Sequence, residues 1–211
     1  MKLTSMLLLA LATLAGAPRA ARAQDQARVG LTMGYPSSVG VIWQAAERVA
    51  LRPEITLSRS TGDSATNDLL GAAPVSTTDS TGVGVGVSAL FYLHRWDGLR
   101  TYVSPRFSYA RTSTSASTTS STSTSEATTS AYLTSGSFGA QYSLGRHFGL
   151  FGEIGLGYTS TSTALTSTLT LSATSVVNGV VTTSTRLQTV QSSSHANTLA
   201  TRSGAGVIVF F

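Results

Sequence analysis

Five charged side chains sit inside otherwise small or apolar stretches: Arg52, Glu54, Arg106, Glu153 and Arg202. Arg52 and Glu54 are two apart, so on an extended strand they share one face. An unpaired charge removed from water is costly. These residues, with Gln141, therefore read as a buried network that fills an interior. Three His are the other groups with chemical reach. Nucleophilic catalysis needs a His beside Ser or Cys, oriented by a third group. His195 follows Ser192-Ser193-Ser194, but in so Ser-rich a segment adjacency carries no information. His94 and His147 stand apart from it, and Asp63, Asp68 and Asp79 lie in a different connection. No defined catalytic motif emerges. With no Cys and three scattered His, a transition-metal site is not expected. Gly82-Val83-Gly84-Val85-Gly86 lacks the following helix that a phosphate loop requires. The expectation is no enzyme, no cofactor and no metal.

The elements that position these residues are strands. Apolar and small or polar residues alternate with period 2 in eight runs: 29–35, 39–43, 49–57, 83–93, 99–109, 132–144, 148–158 and 205–211. Connections alternate in length. Ala45-Ala46-Glu47, Trp96-Asp97-Gly98 and Gly145-Arg146-His147 are short, and the connections after the third, fifth and seventh runs are long and polar. An even strand number with alternating short and long connections is the pattern of an up-and-down transmembrane β-barrel. Both runs flanking Trp96-Asp97-Gly98 place even-numbered residues on the polar face. That parity predicts a three-residue turn with Gly98 left-handed.

Alternation alone leaves the direction of the apolar face open between a lipid-facing barrel and a lipocalin-like one. Mid-strand charges and abundant Gly and Ser on the other face suit a narrow packed lumen. Aromatics cluster near strand ends: Trp43, Trp96, Phe148 and Phe211 at one level, Tyr35, Tyr109 and Tyr158 at the other. That matches two interfacial girdles and favours lipid. Pro53 and Pro105 each remove a ladder donor, and β-bulges are expected to absorb them.

Two segments are nearly all Ser and Thr. From Thr112 to Ser130 only Ala116, Glu126 and Ala127 differ, and 159–194 is similar. Such segments read either as disordered loops or as extended hairpins. Asn178-Gly179 between Val176-Val177 and Val180-Val181 is a two-residue hairpin signal. Folding about it sets residue 148 opposite 209, 150 opposite 207, and Phe211 opposite Arg146. The Glu153 position then lies diagonal to Arg202. Each arm becomes about 30 residues, where a membrane strand needs about 9–11.

The two ends of the chain agree with export. Lys2 and the short apolar run 6–17 precede Ala21-Arg22-Ala23, so 1–23 reads as a secretory signal peptide cleaved after Ala23. A barrel domain over 24–211 follows. Loss of Lys2, Arg19 and Arg22 leaves a nearly balanced charge with scattered Arg, which gives no footprint for nucleic acid. At the other end, Gly206, Val209 and the final Phe211 resemble the C-terminal strand signal of outer-membrane β-barrel proteins. Architecture, leader and this ending together resemble the small eight-stranded outer-membrane proteins of the OmpA-transmembrane, OmpX and opacity type. The resemblance implies the outer membrane of a Gram-negative-type envelope, insertion by the barrel-assembly machinery, contact with lipid and lipopolysaccharide, and a monomer. It implies a non-enzymatic envelope or adhesion role, with an extracellular protein or surface ligand as partner. The alternatives are a lipid A-modifying or proteolytic barrel enzyme and a narrow channel.

Overall fold

The computed structural model describes residues 29–35, 38–65, 75–118, 123–178 and 180–211. The expected signal segment, the Pro36-Ser37 turn, Asp68 and Gly179 lie outside the described residues. Eight strands follow in chain order: β1 (Val29–Tyr35), β2 (Ser38–Ala46), β3 (Val49–Ala65), β4 (Val75–Trp96), β5 (Leu99–Thr118), β6 (Ser123–Ser143), β7 (Phe148–Val177) and β8 (Val180–Phe210). Each pairs with its neighbours in the chain, and β1 pairs with β8 to close the ring. Every pairing is antiparallel.

The register fixes the tilt. It runs from Ile208 through Thr32 to Gly40, and onward through Glu54, Gly86, Ser108, Leu133, Thr159 and Thr198. One circuit thus ends ten residues from its start on β8, at Thr198 instead of Ile208. Closure with that stagger requires strands inclined to the barrel axis. Even-numbered residues of β1–β5 and β8, and odd-numbered residues of β6 and β7, point inward.

Both arms of the last hairpin are continuous strands, of 30 and 31 residues. Phe148 pairs with Val209 and Leu150 with Val207, and the register runs unbroken to Val177↔Val180. Asn178 takes the left-handed conformation that a tight turn needs (φ 51°). The reading of the Ser/Thr-rich segments as extended hairpins is therefore the one realised over the described residues. Thr is a good strand former, and cross-strand hydroxyl contacts follow the ladder: Ser80 with Thr114 (3.1 Å), Thr129 with Thr163 (3.0 Å) and Thr174 with Thr183 (3.3 Å).

Two local expectations need correction. The parity at Trp96-Asp97-Gly98 is satisfied differently. Trp96 pairs with Leu99, so the turn holds only Asp97 and Gly98, and the odd residue is taken up by a bulge between Tyr92 and His94. Gly98 does adopt positive φ (89°). The β2–β3 connection repeats the device, with Ala46 paired to Val49 and a bulge between Gln44 and Ala46. Only Gly145-Arg146-His147 is a three-residue loop, closed by Leu144 N–H donating to Phe148 O (2.8 Å). The prolines, conversely, carry no bulge. β2–β3 pairing runs to Gly40↔Glu54 and resumes at Trp43↔Leu51 with no shift, skipping Pro53. β4–β5 pairing skips Pro105 in the same way between Ser88↔Arg106 and Phe91↔Val103. Each Pro lacks an N–H, so the ladder lapses on one side only. The other side holds, through Pro53↔Val87 and Pro105↔Gly136.

Large apolar side chains face outward in a belt: Val39, Val41, Ile55, Val85, Val87, Phe107, Phe138, Ile154 and Leu156 are all exposed. The inward side is not uniformly small. At the short-turn end Ile42, Ala50, Leu90, Tyr92, Tyr102, Ile208 and Phe210 form a buried apolar cluster, with Phe151 packed on it. Tyr102 and Tyr92 meet edge to face at 5.8 Å between centroids. Tyr102 is fully buried because Gly139 has no side chain: a Cβ there would lie 2.5 Å from the Tyr102 ring. Gly139→Val is expected to lower stability by about 1–3 kcal/mol through overpacking, measured as a lower urea midpoint for the refolded barrel. Tyr102→Ala in the same background is expected to relieve that clash.

Candidate functional site

Above the apolar cluster the lumen becomes ionic. Arg52 on β3 reaches across to β7, where its Nη2 lies 2.7 Å from Glu153 Oε1. Arg106 on β5 ion-pairs through Nε with Glu54 Oε1 on β3. Glu153 is held further by the Tyr102 hydroxyl, which donates to Oε1 (2.8 Å), and by the Ser137 hydroxyl, which donates to Oε2 (3.4 Å). Arg52 Nε donates to Ser88 Oγ (3.1 Å), and its guanidinium lies 5.1 Å from the Phe151 ring centre. Both partners of each pair are nearly removed from solvent. Such a pair repays desolvation only where its remaining donors and acceptors are satisfied, and the Tyr, Ser and aromatic contacts do this for Arg52–Glu153.

Sequence placed five charges in one network. The structure joins four of them as two pairs. Arg202 shares their cavity but makes no ion pair within 4.0 Å among the described residues. Glu153, read from register as the diagonal neighbour of Arg202, pairs with Arg52 instead. Gly155 is the residue directly opposite Arg202. Strand register reports neighbours along the wall, whereas in a narrow barrel the nearest partner can stand across the lumen. Gln141 belongs to a separate contact, accepting from the Tyr92 hydroxyl (2.9 Å) within the apolar cluster. Leu90, Tyr92, Tyr102 and Phe151 were legible only as inward positions. Their parity was the one signal that they build a plug.

A cavity of about 30 Å³, room for roughly two waters, opens above the ion pairs. Its lining includes Arg52, Arg106, Arg202, Glu54 and Glu153. Below it, the buried side chains of the apolar cluster occupy the cross-section. Eight strands leave an interior just wide enough to be filled by side chains.

The histidines are dispersed. His94 stacks on Trp96 (4.1 Å between centroids), and His147 Nδ1 lies 3.1 Å from Phe210 O. His195 does meet serines, across the β7–β8 ladder: Nδ1 is 3.0 Å from Ser162 Oγ and Nε2 is 3.4 Å from Ser160 Oγ. Both ring nitrogens are thus engaged by hydroxyls. Asp79 lies elsewhere, accepting from the Thr61 hydroxyl (2.8 Å). No cluster of three or more His, Asp or Glu suited to a metal occurs among the described residues.

The hairpin end offers a different kind of site. β1 and β8 stop pairing at Tyr35↔Ala205, so among the described residues β8 from Val180 to Gly204 has β7 on one side and no strand on the other. β3 likewise has only β4 as neighbour beyond Thr56. β6 pairs with β7 as far as Thr124↔Thr168. Beyond that level, among the described residues, β7 and β8 pair with each other.

Near the short-turn end, Phe210 N–H donates to His147 O (2.8 Å) and Phe211 N–H donates to Val29 O (3.0 Å). Val209 pairs with Leu31, Gly206 with Gly34, and the Phe211 ring is exposed. A Cβ at Gly206 would lie 2.3 Å from Met33 O, so this position admits only Gly at the β1–β8 seam.

No family model matches the chain, and no curated protein matches it in sequence. Among solved structures it is similar to a major outer membrane protein from Thermus thermophilus, at 11% identity and a TM-score of 0.55, covering 88% of this chain and 99% of that one. It is also similar to CarO of Acinetobacter baumannii (14% identity, TM-score 0.35, 88% of this chain and 97% of that one). A third likeness is to CarO2 of A. baumannii (12% identity, TM-score 0.33, 88% and 98%). At these identities the likeness is one of fold, and the first of the three carries it. The chain is an eight-stranded antiparallel up-and-down transmembrane β-barrel.

Replacing one partner of the cross-lumen pair isolates its energetic role. Arg52→Leu leaves Glu153 buried without its cation and is expected to cost about 3–5 kcal/mol. Arg52→Leu with Glu153→Leu is expected to recover most of that loss. Urea unfolding in detergent, followed by Trp43 and Trp96 fluorescence, measures both.

Proposed function

We propose that the chain is a non-enzymatic surface protein of the outer membrane, related in kind to the OmpA-transmembrane, OmpX and opacity group. Its hairpin sheet stands outside the cell and binds an extracellular protein or surface ligand. The observation that carries this reading is the unpaired edge of β8 from Val180 to Gly204. An open edge presents a row of free N–H and C=O groups, and strand addition is a recurring way to bind an extended peptide. A lone two-stranded ribbon is marginal in water, so the β7–β8 tip gains from a third strand. Its Ser and Thr side chains keep the unoccupied edge hydrated.

The apolar belt, the lumen pairs and the connection lengths support placement in the outer membrane, with short turns in the periplasm and hairpins outside. Lipid and lipopolysaccharide then surround the belt, and the barrel-assembly machinery inserts it. One copy closes its own ladder, which supports a monomer. The ion pairs and the apolar plug are structural fillers of the lumen, and a conducting channel is not supported by so filled a section.

The enzymatic alternative rests on His195 beside Ser162 and Ser160. No described carboxylate orients that imidazole, and a triad-like site needs one. Lipid A mass profiles are expected to be identical for cells expressing the wild-type protein, His195→Ala and His94→Ala. A modified lipid present only with wild type would favour the enzyme.

Excision of 165–192 tests the main reading. Ala164 and Ser193 are paired, so a two-residue Asn-Gly turn can join them without changing register below. The shortened protein is expected to remain heat-modifiable in the outer-membrane fraction and to lose most of the surface adhesion conferred by the full hairpin. Unchanged adhesion would refute a role for the hairpin.

A further inference from the structure

Among the described residues the barrel wall is lower on one side. β1 ends at Tyr35, opposite Ala205, and β2 begins at Ser38, opposite Thr56. On β8 the next large apolar outward residue is exposed Leu199, six residues further and beyond Ser203 and Thr201, and it pairs with Tyr158 of the upper aromatic girdle. Six residues span roughly 20 Å along a strand. Between the edges of β8 and β3 there is therefore a notch, and it reaches down below the level of Tyr158, Tyr132 and Tyr109.

Among the described residues, the lining of the lumen cavity extends to the rim of this notch. Tyr35 and Ser203 belong to the outward-facing alternation of their strands, yet both line the cavity together with inward-facing Arg106 and Arg202. The outward positions of β8 beside the notch are Ser203 and Thr201, both exposed, where other strands present Val, Phe or Leu at comparable levels. The cavity's charge is also unbalanced. Its lining holds three guanidinium groups and two carboxylates. Arg52 and Arg106 take both carboxylates, and Arg202 has no ion pair among the described residues.

We infer that the notch is a binding site for the phosphate group of an outer-leaflet lipid headgroup, with Arg202 as its cationic ligand. A guanidinium is the side chain best matched to phosphate oxygens, through a planar fork of donors. An anion there supplies the charge that the cavity lacks, and its oxygens replace the waters. The notch lies where the belt gives way to the interface, so the lipid's acyl chains remain alongside Leu199 and Leu57 while the headgroup turns inward. A soluble phosphate lacks that apolar anchorage, which is why a lipid is the occupant. Ser203 and Ser135 supply hydroxyl donors on either side.

This inference rests on the outer-membrane placement proposed above, and its test is made on the purified barrel, so each can fail alone. The refolded protein in neutral detergent is titrated with bis-phosphorylated lipid A, with the same lipid stripped of both phosphates, and with inorganic phosphate. Native mass spectrometry reads the bound species. Wild type is expected to bind the phosphorylated lipid about tenfold more tightly than the stripped one, as a charge-assisted hydrogen bond warrants. Arg202→Gln is expected to erase that preference, and Arg202→Lys to retain part of it. Wild type alone gives a second readout. Raising NaCl from about 0.1 M to about 1 M shortens the screening length from about 10 Å to about 3 Å and is expected to weaken the phosphorylated lipid only. Equal binding of both lipids, a preference that survives Arg202→Gln, or inorganic phosphate displacing lipid A at equal concentration would each overturn the inference.

Discussion

In hydrocarbon an unpaired backbone amide or carbonyl has no water to turn to, and each costs several kcal/mol. The pairing of β1 with β8, from Gly30↔Phe210 to Tyr35↔Ala205, removes the last open edge at belt height on the lower wall. Much else follows from that closure. It demands the ten-residue stagger and hence the tilt. It brings Gly34 and Gly206 so near that neither can carry a side chain. It also encloses a lumen that must be filled. Where a backbone donor is missing, at Pro53 and Pro105, pairing is kept on the opposite side of the strand.

Filling the lumen is done in two layers with opposite chemistry. Aromatic and aliphatic side chains close the short-turn end. Two ion pairs then tie β3 to β7 and β5 to β3, bracing walls that share no ladder. Above the cavity the same six strands, β3 to β8, continue as an open sheet, held by a hydroxyl-bearing ladder in place of a core. The fold thus changes its source of stability along one set of strands: lipid and lumen packing below, backbone hydrogen bonds in water above. The free β8 edge and the notch beside Arg202 both exist because β1 and β2 are short.

Strand number, strand direction and the long register were legible in sequence, because period 2 and a single turn at Asn178 determine them. Once that turn is placed, Phe148 must face Val209. Turn detail was less legible. Parity around Trp96 required one extra residue, but a three-residue turn and a bulge at Tyr92 satisfy it equally, and only the backbone path decides between them. The lumen partners were least legible. Glu153 had a plausible neighbour in Arg202 along the wall, yet the barrel is narrow enough for Arg52 to reach it from four strands away. The plug was visible only as parity, since Tyr102 and Leu90 look like interruptions of a small-residue face until Gly139 opposite Tyr102 explains the fit.

The central claim is that one strand, β8, crosses lipid in its last third and stands in water for the rest. The chain has no native Cys, so single substitutions report cleanly. Val207→Cys, Leu199→Cys and Leu187→Cys all point outward along this strand. Whole cells expressing each are treated with a membrane-impermeant maleimide, before and after detergent solubilisation. Full labelling of Leu187→Cys is expected on intact cells, with an intermediate rate for Leu199→Cys at the interface and labelling of Val207→Cys only after solubilisation. Equal labelling of all three on intact cells, or protection of all three, would contradict the claim.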